Sequence, residues 1–228
     1  MTTMHFHSYD QFSELSQALV KEWLNLIEQA NVQRRSSSFA LAGGTTPAPV
    51  YRLLDQALAS RSPLHTAMKL VATDERWVED SDPQSNEGLF QQCMQHSFQQ
   101  QWQLVSLKNQ ATSPNDAISE IDQRLRAQLP AAFDAVLLGM GADGHVASLF
   151  PGGATQQGEA WCLPALHPQT QQSRMSLSLP RLVHSEQIWL VITGAEKRQV
   201  LENALETTLP IAALIQAARC PIDVFWCP

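Results

Sequence analysis

The chain has 228 residues, 44% of them hydrophobic, enough to bury a full core in one large α/β unit. Its formal net charge is −7, from 22 acidic and 15 basic residues, which excludes nucleic acid or an anionic membrane as a bulk partner. No apolar run approaches the roughly 20 residues of a membrane helix, and the start, Met1-Thr2-Thr3-Met4-His5-Phe6-His7, lacks the basic flank and apolar core of a signal peptide.

His5 and His7 alternate in an expected edge strand and are read as solvent-facing. Phe12, Leu15, Leu19, Trp23, Leu26 and Ile27 recur at helical spacing. Phe39-Ala40-Leu41-Ala42 reads as a buried strand ending in Gly43-Gly44, after which Thr46 fits a helix N-cap and Pro47 the first helical position. A second strand, Met68 to Thr73, ends in Asp74-Glu75-Arg76. Asn86 to Phe98 is predicted helical, Leu104 to Leu107 a strand, Asn115 to Leu129 a helix and Phe133 to Leu138 a strand. Gly152 to Gln172 is rich in Gly, Gln and Pro and is expected to be a long surface loop. Arg174 to Leu179 alternates polar and apolar like an edge strand. Ile188 to Ile192 is a strand, Ala195 to Leu205 and Pro210 to Ala218 are helices, and Ile222 to Trp226 closes the set.

Strands apolar on nearly every residue suit a parallel sheet covered on both faces, and strand–helix alternation gives a doubly wound α/β/α sandwich. Trp23, Trp102, Trp189 and Trp226 read as core. No repeat or domain boundary is visible, so residues 1–228 are expected to form one domain. Cys93, Cys162, Cys220 and Cys227 form no Cys-x-x-Cys pair and read as reduced thiols of a cytoplasmic protein.

Four clusters stand out for chemistry. Gly43-Gly44-Thr45-Thr46 lies at a strand-to-helix turn, where free N–H groups, hydroxyls and the helix dipole suit a phosphate; an ordinary capped turn reads the same way. It is neither a Walker A loop nor a dinucleotide fingerprint. Asp74-Glu75-Arg76 places three charges at a strand end, too costly to bury unpaired, so they are expected at the sheet edge facing solvent or ligand. The Arg76 fork suits a phosphate or carboxylate; a local salt-bridge cluster is the alternative. Gly139-Met140-Gly141-Ala142-Asp143-Gly144-His145 bends sharply after a strand, and a short helical turn is expected to begin there. A helix N-terminus would keep His145 neutral and able to accept a proton, with Asp143 orienting it or binding substrate. As a metal pair, Asp143 and His145 lack a third and fourth ligand. Finally, Arg174 sits at the mouth of its strand, and Lys197 occupies a helix first turn against the dipole preference, which hints at an anionic ligand. Without a Gly-x-Ser-x-Gly elbow, Ser148 is a poor nucleophile.

Taken together, Leu41-Ala42-Gly43-Gly44-Thr45-Thr46-Pro47, Thr73 to Val78 with Ser85-Asn86, Gly139 to Gly152, and Arg174 with Thr193-Gly194-Ala195-Glu196-Lys197 resemble the 6-phosphogluconolactonases. The matching pieces span most of the chain. The resemblance implies a Rossmann-like three-layer fold with a mostly parallel sheet. It implies hydrolysis of 6-phospho-D-glucono-1,5-lactone to 6-phospho-D-gluconate in the oxidative pentose phosphate pathway, without cofactor or metal. His145 would activate water, and Gly43, Gly44, Thr45, Thr46, Arg76, Arg174 and Lys197 would hold the substrate. The expected partner is thus a phosphorylated sugar lactone, and the expected assembly a monomer or small homo-oligomer. Glucosamine-6-phosphate deaminases have a similar Asp-Gly-His segment, but theirs continues Ile-Ala-Phe-Asn-Glu-Pro with a catalytic carboxylate. Here Val146-Ala147-Ser148-Leu149-Phe150-Pro151 has none, and Asp74-Glu75-Arg76 stands where the deaminases have Asp-Glu-Tyr. A sugar-phosphate sensor on the same fold would need a DNA-binding segment, and no spare basic stretch exists for one.

Overall fold

The computed structural model describes residues 3–61, 63–97, 101–153 and 159–228. Ten strands are described: β1 (Met4–Ser8), β2 (Ser38–Leu41), β3 (Met68–Ala72), β4 (Asp74–Arg76), β5 (Trp102–Leu104), β6 (Ala135–Gly139), β7 (Cys162–Leu166), β8 (Ser173–Leu177), β9 (Ile188–Thr193) and β10 (Ile222–Cys227). The α-helices are α1 (Phe12–Val32), α2 (Ala48–Ala59), α3 (Asn86–Cys93), α4 (Pro114–Gln128), α5 (Leu179–Val183), α6 (Ala195–Glu202) and α7 (Pro210–Ala217). Phe98, expected to end α3, lies outside the described residues, as do Met1, Thr2 and residues 154–158 of the expected loop.

Seven strands form one sheet in the order β1-β10-β9-β6-β2-β3-β5, and every pair in it is parallel. All four residues of β2 are buried, as are the first four of β6 and the first five of β9, which is what their unbroken apolar runs demand of strands covered on both faces. Trp23 of α1 packs among Phe39 of β2, Trp189 of β9, Trp102 of β5 and Tyr51 of α2, with ring centroids 5.3 to 6.4 Å away. A fully buried tryptophan of this kind stabilises the fold by about 3–5 kcal/mol relative to alanine. Trp226, by contrast, is only half-buried and donates its indole N–H to Gly194 O.

A second sheet, antiparallel and three-stranded, has the order β4-β8-β7. It corrects three expectations. The stretch read as loop from Gly152 to Gln172 contains β7. The strand starting near Arg174 lies at the centre of the small sheet rather than at an edge, flanked by β4 and β7. The charged run Asp74-Glu75-Arg76 is itself a strand, with Asp74 and Glu75 buried. Burial is tolerated because both carboxylates are hydrogen-bonded, the condition the cost argument requires. At the far edge β1 is a strand as expected; His7 is half-buried, bonded to Asp223 at 2.9 Å, while His5 is exposed. Every cysteine is a free thiol.

Candidate active site

In the large sheet the chain winds outward in one direction from β2 through β3 to β5, then returns to the other side of β2 with β6, β9 and β10. The crevice of such a reversal, at the carboxyl ends of the strands, is where open α/β sheets bind ligands. A cavity of about 260 Å³ lies there. Its walls come from the loop after β2 (Gly43, Gly44, Thr45, Thr46), from Thr73, Asp74 and Arg76, from the end of β6 with His145, from Arg174, and from Lys197 of α6. Eight of the nine residues singled out for the site therefore face one space. The ninth, Asp143, touches it through His145.

The loop after β2 is shaped by glycine. A Cβ on Gly43 would stand 1.8 Å from Asn86 Oδ1, and Gly44 has φ +90°. The buried Tyr51 hydroxyl donates to Ala42 O at 2.5 Å and ties the end of β2 to α2. Helix α2 starts one residue later than expected: Pro47 occupies the N-cap, and Thr46 makes no capping bond.

The Asp143–His145 segment is a chain of tight turns, not a helix start. Gly144 and Ala147 have φ of +76° and +49°, which interrupt any helix. Gly141 N donates to His145 O, Gly144 N to Gly141 O, and Ile211 N to Gly144 O, all within 3.0 Å. A Cβ on Gly141 would sit 2.2 Å from His145 Nδ1, so only glycine lets the ring fold back. His145 Nδ1 lies 2.5 Å from Asp143 Oδ1, and His145 N also donates to that oxygen at 3.3 Å. Burial pushes the Asp143 carboxyl up, but the hydrogen bond and charge of His145 outweigh it and hold it below its ordinary value. An ionised carboxylate accepts only, so in the neutral ring Nδ1 carries the proton and Nε2 keeps a lone pair. What orients the His145 ring is therefore Asp143, and no helix N-terminus of the kind expected from the sequence lies at it.

Positive charge concentrates in the same cavity. Arg76 on β4 and Arg174 on β8 are direct cross-strand partners. Like charges so placed repel. Burial and the Arg76 charge lower the Arg174 pKa, against the pull of Asp74. Arg174 Nη1 approaches Asp74 Oδ2 and Ser148 Oγ at 3.4 Å each, while Arg76 donates to Gln84 O at 2.7 Å. The Nε atoms of both arginines and the Thr73 hydroxyl are buried without a partner. Lys197 makes no ion pair among the described residues. All three partnerless atoms belong to residues that line the cavity. Among the described residues no cluster of three or more His, Cys, Asp or Glu is arranged to hold a metal ion.

Residues 10–226 match the family model described as glucosamine-6-phosphate isomerases/6-phosphogluconolactonase. The chain belongs to this family. It is 30% identical over 233 residues to a 6-phosphogluconolactonase of Mesorhizobium japonicum, covering 98% of this chain and 95% of that protein. It is 29% identical over 234 residues to a 6-phosphogluconolactonase of Caulobacter vibrioides, covering 99% and 98%. The crystal structure of a 6-phosphogluconolactonase from Shewanella baltica superposes with a TM-score of 0.89 at 29% identity, covering 99% of this chain and 98% of that one. The sheet order and the parallel core are thus the fold of the family.

Several further residues at this cavity were not given a role from the sequence. Ser148, set aside as a nucleophile, donates to Asp74 Oδ2 at 2.5 Å, and its own N–H takes Ser176 Oγ at 3.2 Å, which pins the histidine loop to the small sheet. Phe150 packs between His145 and His167, 5.1 Å from each ring. His167 lies beyond the end of β7; burial and the nearby charges of Arg174 and His145 lower its pKa. Asn86 donates to Asp74 O at 2.6 Å. Ser148, Phe150 and Asn86 lie inside recognised motifs, but their contacts were not readable, since a partner can lie 74 positions away; His167 had no advance signal.

Proposed function

We propose that this chain hydrolyses 6-phospho-D-glucono-1,5-lactone to 6-phospho-D-gluconate, with His145 as the general base. The observation that carries the reading is that His145, oriented by Asp143, lines one cavity with the cross-strand pair Arg76 and Arg174. A lactone carbonyl is already electrophilic, so the reaction needs no covalent nucleophile. His145 Nε2 takes a proton from water as the water oxygen bonds to C1. The bond from C1 to the ring oxygen then breaks, and the protonated imidazole returns its proton to that oxygen. Charge developing on the carbonyl oxygen is met by a nearby cation or backbone N–H. The phosphate rests on the Gly43–Thr46 turn at the start of α2, with Arg76, Arg174 and Lys197 around it. Binding energy from that distant group holds C1 beside His145.

Two features favour this over deamination of an amino-sugar phosphate. Phe150 stands at the place of the deaminase carboxylate in the run after His145, and it is a buried apolar side chain, so this turn offers no acid. Asp74, the nearby buried carboxylate, is taken up by Ser148 and Arg174. The test is a pair of assays on the purified protein: freshly made lactone, corrected for spontaneous hydrolysis, and glucosamine 6-phosphate. The expected result is turnover of the first and no ammonia from the second.

A further inference from the structure

Glu75 does not line the cavity, and its side chain is fully buried beneath it. One carboxylate oxygen accepts from Arg76 N at 2.7 Å and from Asn86 N at 2.8 Å. The other accepts from Glu87 N at 2.7 Å and from Ser85 Oγ at 3.2 Å. Two of these donors, Asn86 N and Glu87 N, are first-turn amides of α3, which helical bonding leaves unsatisfied. A side chain from β4 thus caps a helix that follows it by ten residues, beside the helix's own N-cap, Ser85, which accepts from Gly88 N.

What that capping fixes is Asn86. Its side chain is buried, donates to Asp74 O, and fills the space where Gly43 would carry a Cβ. Asn86 therefore touches both the Gly43 turn and the strand that carries Asp74 and Arg76. The geometry points to Glu75 as a positioning residue of the site, holding Asn86 so that it sets the spacing between the phosphate turn and the two arginines. The inference rests on the lactonase reading above. Lys108 approaches Glu75 at 3.9 Å and pairs with Asp80 at 2.6 Å, while Glu87 faces Glu75 and accepts from Ser106 and Leu107 N. Glu75 is thus ringed by donors aimed at a carboxylate, and an amide in its place would turn an N–H toward one of them.

The test is a double-mutant cycle in the lactonase assay, with melting temperatures recorded in parallel. Glu75→Gln and Asn86→Ala are each expected to raise KM about tenfold, the scale of a lost charge-assisted bond, with a smaller change in kcat. If Glu75 acts through Asn86, the double variant is no worse in KM than the worse single variant, although its melting temperature falls further. Losses that multiply in KM overturn the inference, as does a folded Asn86→Ala with wild-type KM. Should Glu75→Gln fail to fold, Glu75→Asp replaces it in the cycle, and the Asn86→Ala result decides on its own. Wild-type turnover separates the two readings. An inactive wild type overturns the lactonase assignment, whereas an active wild type with an unaffected Asn86→Ala overturns the positioning role alone.

Discussion

Two carboxylate arrangements lie at the same end of the sheet, and they differ in nearly every physical respect. Asp143 and His145 sit on irregular turns, half-exposed, and are joined by one short contact. Glu75 and Glu87 sit on a strand and a helix, both buried, and are held by backbone amides. The first arrangement keeps an imidazole open to a cavity. The second uses two buried carboxyl groups to fix the start of α3 and the segment that packs on it. Burial raises the pKa of Glu75, and burial together with the Glu75 charge raises that of Glu87 to about 7. The carboxylate that orients the His145 ring stays half-exposed, while those that fix the start of α3 are dry.

The largest expected effect falls on the exposed pair. His145→Ala should lower kcat by about 100-fold or more, the usual scale of general-base catalysis, in a folded protein. Near-native turnover would end the assignment.

On the buried pair the expected effect is on stability and its pH dependence. Between 4.5 and about 7 the folded chain binds a proton on Glu87 that the unfolded chain has released, so stability falls as pH rises through that window. Glu87→Gln should flatten this slope, by on the order of 3 kcal/mol across the window. Urea unfolding at stepped pH measures it, and a slope unchanged from wild type would contradict the desolvated pair.

A smaller change is expected at the cavity rim. Arg76→Ala should raise KM about tenfold with kcat largely kept if the guanidinium grips phosphate. A loss confined to kcat would move Arg76 to the carbonyl. The smallest effect is at Ala147, whose φ of +49° costs roughly 1–2 kcal/mol that glycine avoids. After the entropic cost of glycine, Ala147→Gly should gain about 0.5 kcal/mol in thermal unfolding. A net loss would show that the turn is not strained.

The same contrast explains what the sequence disclosed. Runs such as Met68 to Ala72 and Ile188 to Ile192 announce buried parallel strands, because such strands need apolar side chains on both faces. The glycines around His145 announce a bend for the same kind of local reason. Of the small sheet only β8 is legible, as the alternation from Arg174 to Leu179; β4 and β7 are silent because their signals are non-local. Asp74–Arg76 is a strand only because β8, a hundred residues on, pairs with it, and Pro164 within β7 argues against a strand until β8 is alongside. The burial of Glu75 was unreadable for a related reason: three of its four hydrogen-bond partners are backbone amides, which every residue type but proline supplies. The nine expected site residues were legible as separate clusters, and the topological reversal between β2 and β6 is what brings them to one crevice.

The central claim is that Asp143 holds the His145 ring with its proton on Nδ1 and a free lone pair on Nε2. Nitrogen-15 NMR of histidine-labelled protein, at a pH where the His145 ring is neutral, tests it most directly. The account predicts the Nδ1–H tautomer in the wild type and its loss in Asp143→Asn. An Nε2–H ring in the wild type would contradict it.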